Sequence, residues 1–342
     1  MDVRFDGWPH VLRAQQFSRQ WLEKVLFPRA KRMRGIFELR GDRMLAGRRI
    51  VSLFYQPSTR TRGSFQMAMS YRGGEVPFQT EDARVFSSAA KGESLKHTIQ
   101  NWNQYFPDPY SGAIVLRHYQ VGAAELAARY SRVPIINAGD GPGQHPTQAL
   151  LDILTLHEKL GGVDGKVIAL MGDLKNGRTA RSLACMLSKF SGVRLFLISS
   201  ERSRMNEDIL SHLSENSVWY VEHNDIREVA PELDAVYVIR DQKEYANGWW
   251  RSHLWQSARQ RMRRNGRKDY LVIDQNVMDL LPGYAIVTHP LPIDSSVMEI
   301  RPEVEDDPRV ICLREQVAFG LFVRMALLPI VICEKDIISE AA

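Results

Sequence analysis

The chain has 342 residues, with 45 Lys and Arg against 40 Asp and Glu, 44% hydrophobic and 25% charged. At roughly 100–200 residues per domain the length suggests two domains, and the formal net charge of +5 favours anionic partners without saying which. No uninterrupted apolar run approaches the roughly 18 residues of a membrane span, no basic start followed by an apolar stretch marks a secretory signal, and Cys185, Cys312 and Cys333 form no C-x-x-C pair that would suggest a disulfide framework or a cysteine metal site. A cytosolic protein without a membrane segment is expected.

In chain order, Phe17–Arg34 reads as an amphipathic helix with Ser18 as its cap. Strands are predicted at Arg49–Tyr55, Gly112–His118, Val133–Ala138, Lys166–Gly172, Val193–Ser199, Val218–His223, Ala235–Ile239, Tyr270–Asp274 and Ala285–Thr288. Many are apolar on both faces, the pattern of buried parallel strands. Helical stripes lie between them. In Pro146–Gly161, Ala149, Ile153, Leu156 and Leu160 share a face, with Pro146 suited to the first turn and Gly161 to the stop. This helix lies near the midpoint of the chain and reads as a connector between domains. Gly177–Phe190 carries a second stripe, and Gln316–Cys333 is apolar and reads as helical up to Pro329. Alternating β and α elements argue for parallel sheets covered by helices.

Several turns between these elements carry chemistry. After the first strand, Gln56-Pro57-Ser58-Thr59-Arg60-Thr61-Arg62-Gly63-Ser64-Phe65 places hydroxyls and guanidinia at a helix start, where free backbone N–H groups and the helix dipole favour an anion. A phosphate fits; a capped helix with a solvated Arg pair would leave the same trace. The segment from Asn137 to Gln148 fails the dinucleotide fingerprint at Gln144 and instead delivers His145 and Gln148 to a helix N-terminus. There a neutral imidazole can polarise a carbonyl, although a lone His is more often structural. His157-Glu158 fails the zincin pattern at Gly161, so no metal site is expected. Gly172–Thr179, Val238–Glu244 and Thr288-His289-Pro290-Leu291-Pro292 are further strand ends, with Arg178 and Arg240 spaced to clamp carboxylates. Carboxyl ends of strands are where ligands of α/β sheets bind. The basic run Arg251–Lys268, beside Trp249, Trp250 and Trp255, reads as a solvated face in preference to a nucleic-acid patch, since no nucleic-acid module accompanies it.

Together, Ser58-Thr59-Arg60-Thr61-Arg62, Lys91-Gly92-Glu93-Ser94, Arg117-His118, His145-Pro146-Thr147-Gln148, Gly172 to Thr179, Arg240-x-Gln242-Lys243-Glu244 and His289-Pro290-Leu291-Pro292 resemble, in order and from about Phe17 to Pro329, the aspartate/ornithine carbamoyltransferase family, and within it the catalytic chains that act on aspartate. The resemblance implies two doubly wound α/β domains with parallel sheets, the C-terminal helix returning to the first. The implied bounds are 1–146 plus 317–342 for carbamoyl phosphate and 147–316 for aspartate. It implies that Ser58, Thr59, Arg60 and Thr61 hold the phosphate, that Arg117, His145 and Gln148 address the carbamoyl group, and that Ser87 and Lys91 reach in from a neighbouring chain of a homotrimer. Arg178, Arg240 and Gln242, with Lys91 and the backbone carbonyls of Pro290 and Leu291, would hold aspartate. The implied reaction carbamoylates the aspartate α-amine in an early step of pyrimidine biosynthesis, with no cofactor. A regulatory chain or a dihydroorotase is a conceivable partner.

Ornithine-type relatives typically carry Cys where Pro290 stands, and an ammonium-bearing acceptor would want a carboxylate where Arg240 stands. Both points favour aspartate. Several positions depart from the usual pattern: Gln56 for Glu, Tyr245 for Arg, Ile293 for Arg and Tyr119 for Pro, the first two replacing a pair that resembles a lock on closed domains, and the stretch Tyr245–Asp269 is longer and more basic than is typical. A different amine acceptor, and an idle paralogue serving as an assembly scaffold, are the competing readings.

Overall fold

A computed structural model describes residues 10–242 and 271–333. Tyr245, the predicted strand residue Tyr270 and the basic run Arg251–Lys268 lie outside the described residues. The chain divides into two compact units, 1–158 with 314–342, and 159–313. The Pro146–Leu160 helix, expected to open the second domain, is grouped up to Glu158 with the first. Its buried face, from Pro146 to Leu156, explains the shift. A helix covered over three turns belongs to the core that covers it, and the boundary moves to the exposed turn beyond.

The first unit is built on a four-stranded parallel sheet of order β2-β1-β3-β4, with β1 at Arg49–Phe54, β2 at Glu75–Gln79, β3 at Gly112–His118 and β4 at Ile135–Asp140. Leu53, Ile114, Leu116, Ile135 and Ile99 meet in its core, each such burial stabilising by roughly 1.5–3 kcal/mol. β2 has no counterpart among the predicted strands. Its sequence, Glu-Val-Pro-Phe-Gln, carries Pro77 and no strong alternation, and it sits at the sheet edge where a missing N–H is tolerated. The ladder accommodates it by a register shift, Arg49 facing Glu75 but Val51 facing Phe78.

The predicted N-terminal helix extends further than expected. Ser18 caps it, accepting from Trp21 N at 3.1 Å, and the helix passes through a π-helical stretch at Leu22–Leu26 into Phe27–Glu38. The C-terminal helix Val317–Ile332 packs on Phe27–Glu38 and on Thr59–Tyr71, so it belongs to the first unit. It does not stop at Pro329: Ile330, Val331 and Ile332 continue it, all buried. Proline removes one helix bond, and in the last turn packing of those three residues outweighs that loss. By length and composition Cys312–Ile332 is apolar enough to cross a membrane, yet 72% of its most apolar window is buried within the fold.

The second unit holds a five-stranded parallel sheet of order β7-β6-β5-β8-β9, with β5 at Val167–Met171, β6 at Arg194–Ile198, β7 at Trp219–His223, β8 at Ala235–Val238 and β9 at Ile286–Thr288. The predicted strand ending at Asp274 is reduced to an isolated bridge between Ile273 and Ile300. Asp274 instead caps the Gln275–Leu280 helix, accepting from Val277 N at 3.0 Å. Ala169, Met171, Val236, Val238 and Val287 form the inner layer of its core.

Candidate active site

In each sheet the chain winds first one way and then the other. In the first unit β1 and β3 are neighbours although β2 falls between them in sequence; in the second, β5 and β8 are neighbours although β6 and β7 intervene. These are the two switch points, where connections leave the sheet on opposite sides and open a crevice beyond the strand ends.

Ser58 to Thr61 follow β1 at the first crevice. Ser58 is extended, and the Thr59–Tyr71 helix begins directly after it, so the first backbone N–H groups point outward. The hydroxyl of Ser58 makes no capping bond. Thr61 is buried, while Thr59 and Arg60 are exposed. Arg62, the other guanidinium of the motif, pairs with Glu81 at 3.3 Å.

Arg117 stands at the end of β3 in register with Phe54 of β1, and its Nη1 donates to the carbonyl of Ala138 at 3.2 Å. His145 follows β4. It is 3% exposed, and its carbonyl accepts from the N–H of Gln148 and of Ala149, both at 3.0 Å, so it starts the Pro146–Leu160 helix. Asp140 shapes the loop before it, taking Gln144 N at 2.7 Å and Gly122 N at 2.8 Å. Gly141 adopts φ +51° there, and a Cβ would lie 2.5 Å from the Tyr119 carbonyl. Ser58, Thr59, Arg60, Thr61, Arg117, His145 and Gln148 therefore all stand at the carboxyl ends of three adjacent parallel strands.

Ser87 and Lys91 stand apart, on the segment after edge strand β2. The hydroxyl of Ser87 donates to Ala83 O at 2.5 Å and accepts from Ala89 N at 3.2 Å, and Lys91 is exposed at the end of a short 3₁₀ turn. Val85 and Phe86 just before them are largely exposed.

In the second unit Arg178 opens the helix after β5, Arg240 and Gln242 follow β8, and Pro290 and Leu291 follow β9. β5, β8 and β9 are adjacent, so these residues also share one sheet edge. Asp173 ties two of the loops together, accepting from Asn176 N at 3.1 Å and from Gln242 N at 3.1 Å. Arg240 donates to Asp241 O at 3.0 Å, with Gln242 Oε1 at 3.5 Å from its other nitrogen. At Gly172, φ is +126° and a Cβ would sit 2.0 Å from the Ile239 carbonyl, so only glycine lets the β5 and β8 ends approach this closely.

The Pro290–Leu291 turn is held from below. Nδ1 of His289 accepts from Leu291 N at 2.7 Å, which puts the ring hydrogen on Nε2, facing Glu299 Oε1 at 3.1 Å. Glu299 also takes Asp294 N at 3.1 Å, and both side chains of the pair are buried. Leu291 is held at φ +60°, an uncommon conformation for a β-carbon residue outside glycine and Asn.

Sequence reasoning did not reach Asp152, Gln316, Arg324, the tie made by Asp173 or the brace made by Glu299. A signal existed only for Asp152 and Arg324, charged residues inside helices whose other buried positions are almost all apolar. Among the described residues no group of three or more His, Cys, Asp or Glu is arranged to hold a metal ion.

Comparison with known proteins agrees with this geometry. Residues 9–158 match the family described as aspartate/ornithine carbamoyltransferase, carbamoyl-P binding domain, and residues 164–331 its Asp/Orn binding domain. The chain is 43% identical over 323 residues to "Aspartate carbamoyltransferase 1, chloroplastic" of Pisum sativum, covering 94% of this chain and 78% of that protein. It is 38% identical to the "Aspartate carbamoyltransferase catalytic subunit" of Methanopyrus kandleri, covering 94% and 96%. Its fold matches the aspartate transcarbamoylase of Trypanosoma cruzi in complex with carbamoyl phosphate and aspartate, with a TM-score of 0.79, 35% identity and coverage of 93% and 94%. Two sheets with their switch points occupied by the motif residues, and two family domains matched end to end, lead to one conclusion: the chain belongs to the aspartate/ornithine carbamoyltransferase family.

Proposed function

We propose that the chain is an aspartate carbamoyltransferase, transferring the carbamoyl group of carbamoyl phosphate to the α-amine of L-aspartate and releasing phosphate. The observation that carries this reading is the pair of switch-point clusters, an anion site of hydroxyls and helix N–H groups in the first unit and two guanidinia at adjacent strand ends in the second. A phosphate suits the first and a dicarboxylate the second.

The assignment of roles follows from residue chemistry. Ser58, Thr59, Arg60 and Thr61 hold the phosphate; Arg117, His145 and Gln148 address the carbamoyl group; Arg178, Arg240, Gln242 and the carbonyls of Pro290 and Leu291 hold aspartate. The uncharged amine forms a C–N bond to the carbamoyl carbon, the C–O bond to phosphate breaks, and the departing phosphate takes the amine proton. Negative charge grows first on the carbonyl oxygen and then on the phosphate. Arg60, Thr61, Arg117 and His145 are the groups placed to stabilise it by preorganised charge and hydrogen bonding. Arg240 favours an acidic acceptor over ornithine, whose ammonium it would repel.

The finer parts of the reading belong to the same proposal. Ser87 and Lys91 enter the site of a neighbouring chain in a homotrimer, supported by their exposed position and by the apolar Val85 and Phe86 beside them. A dihydroorotase or regulatory partner is compatible with relatives named multifunctional proteins in Dictyostelium discoideum and Schizosaccharomyces pombe, of which this chain matches 13% and 14%. The cytosolic placement is tested by fractionation, since the pea relative is named chloroplastic.

The test is direct. Purified chain is supplied with carbamoyl phosphate and aspartate, with ornithine as control, and carbamoyl-aspartate is measured. Product that depends on His145 supports the proposal, and none above a His145→Ala background refutes it.

A further inference from the structure

Below the first-unit anion site, polar side chains from two distant stretches of sequence meet in an otherwise apolar interior. Asp152 is 1% exposed, and its Oδ1 accepts from Gln148 Nε2 at 3.0 Å and from Gln316 Nε2 at 2.7 Å. Arg324 is fully buried and its charge acts on the same carboxylate. It donates to Gly320 O at 2.8 Å and lies 5.1 Å over the ring of Phe65, a residue of the helix that begins at Thr59. An apolar set of the same volume would pack here without the desolvation that buried charges incur. The network therefore points to a role other than filling space.

A carboxylate accepts hydrogen bonds and donates none, so the Gln148 amide turns its nitrogen toward Asp152. Oε1 of Gln148 is then the atom left to meet a ligand at the start of the Pro146–Leu160 helix. A carbamoyl group presents a C=O edge, which accepts, and an NH₂ edge, which donates. An amide oxygen recognises only the second. An acetyl group, with methyl in place of NH₂, would leave that buried oxygen without a donor, and such a mismatch is rejected strongly.

We propose that Asp152, held by Gln316 of the C-terminal segment, is a positioning residue that fixes the Gln148 amide with its oxygen toward the ligand, making the site selective for acyl phosphates that carry an N–H donor. This rests on the reading of the first unit as the carbamoyl-phosphate site and deepens it. If Asp152 were neutral, Gln148 would be free to turn over and offer its NH₂ to the carbonyl edge shared by both ligands, and the discrimination would be lost.

The experiment uses two stable probes that differ only at that edge, phosphonoacetamide with NH₂ and acetonylphosphonate with CH₃. Calorimetry gives the ratio of their dissociation constants for the full chain and for Asp152→Asn combined with Arg324→Leu, which removes both buried charges together. The ratio is expected to favour the amide by about tenfold or more in the unmodified chain, the worth of one well-made hydrogen bond, and to fall close to one in the variant. Gln316→Leu, which removes a donor to Asp152, lowers the ratio partway and keeps the test alive should the double variant not fold. In a Gln148→Leu background the Asp152 change should have no further effect on the ratio, whereas a merely structural role would weaken both probes alike. An unchanged ratio in a folded variant overturns the proposal. Binding of both probes without formation of carbamoyl-aspartate would instead count against the activity, so the two failures are distinguishable.

Discussion

His118, the residue after Arg117, gives the first unit a stability that depends on pH. It is 3% exposed, stacks on Tyr119 with ring centroids 4.3 Å apart and leans on Tyr55 at 4.6 Å. Its Nδ1 accepts from Gln120 N at 3.0 Å, which requires an unprotonated ring. Burial, and secondarily the cation of Arg84, push its pKa from 6.5 down to about 4. Between those two values the unfolded chain binds the proton and the folded chain does not, so this stability is present in full above about pH 6.5 and is lost as the pH falls toward about 4. Linkage with those two values gives a loss of about 2 kcal/mol between about pH 7.5 and about pH 5. Native-state hydrogen exchange of the β3 amides, corrected for intrinsic rates, reports the first unit by itself. His118→Asn keeps an acceptor for Gln120 N and removes the titration, so the wild-type chain should lose about 2 kcal/mol more than the variant over that interval. Equal losses in the two proteins would refute the reasoning.

Three further outcomes are expected. Glu299→Ala strips His289 Nε2 and Asp294 N of a buried acceptor, at about 1–3 kcal/mol each; the KM for aspartate should rise tenfold or so while carbamoyl phosphate binding is unmoved, and an unchanged aspartate KM would count against the brace. Gly172→Ala drives a Cβ into the Ile239 carbonyl at a backbone φ of +126°, and denaturant unfolding of the second unit should show a loss of more than about 2 kcal/mol. Lys91→Ala and His145→Ala chains, each inactive alone, should regain about a quarter of wild-type activity when mixed as trimers, because random assortment rebuilds one site in four from an intact Lys91 and an intact His145. No recovery would mean that each chain completes its own site.

The parts of the fold that were readable in the sequence are those set by continuous local pattern. β3, with Ile114, Val115 and Leu116 buried in a row, and β5, with Val167 to Met171 buried throughout, stand out because central parallel strands are apolar on both faces. β2 was hidden because an edge strand has less need of that pattern and accepts Pro77. The boundary between the units is not set by local pattern for a related reason: periodicity defines the Pro146–Leu160 helix, but which core it joins depends on partners such as Gln316, 164 residues beyond Asp152. The candidate site residues were legible as a group because the hydroxyls and guanidinia of the motifs follow strands that prove to be neighbours, β1, β3 and β4 in the first unit and β5, β8 and β9 in the second. Their supports were not. Glu299 and Asp173 act through backbone groups and side chains brought near only by tertiary structure, and nothing in their own sequence neighbourhood marks them; Asp152 is marked only as a charge on a buried, largely apolar helix face.

The C-terminal helix has a consequence for biogenesis. On the ribosome, residues 159–313 emerge as one uninterrupted piece and can complete their sheet with nothing further from the chain. The sheet that precedes them cannot, because Gln316, Arg324 and the apolar helix that packs on its unit are translated only after them. The candidate anion-binding turn at Ser58 to Thr61 is thus encoded ahead of the second unit and finished only after it. A nascent chain stalled before Val317 would display a folded second sheet and an uncovered first one, an apolar surface that chaperones recognise, and the motif residues would stay without their support until that helix has been made.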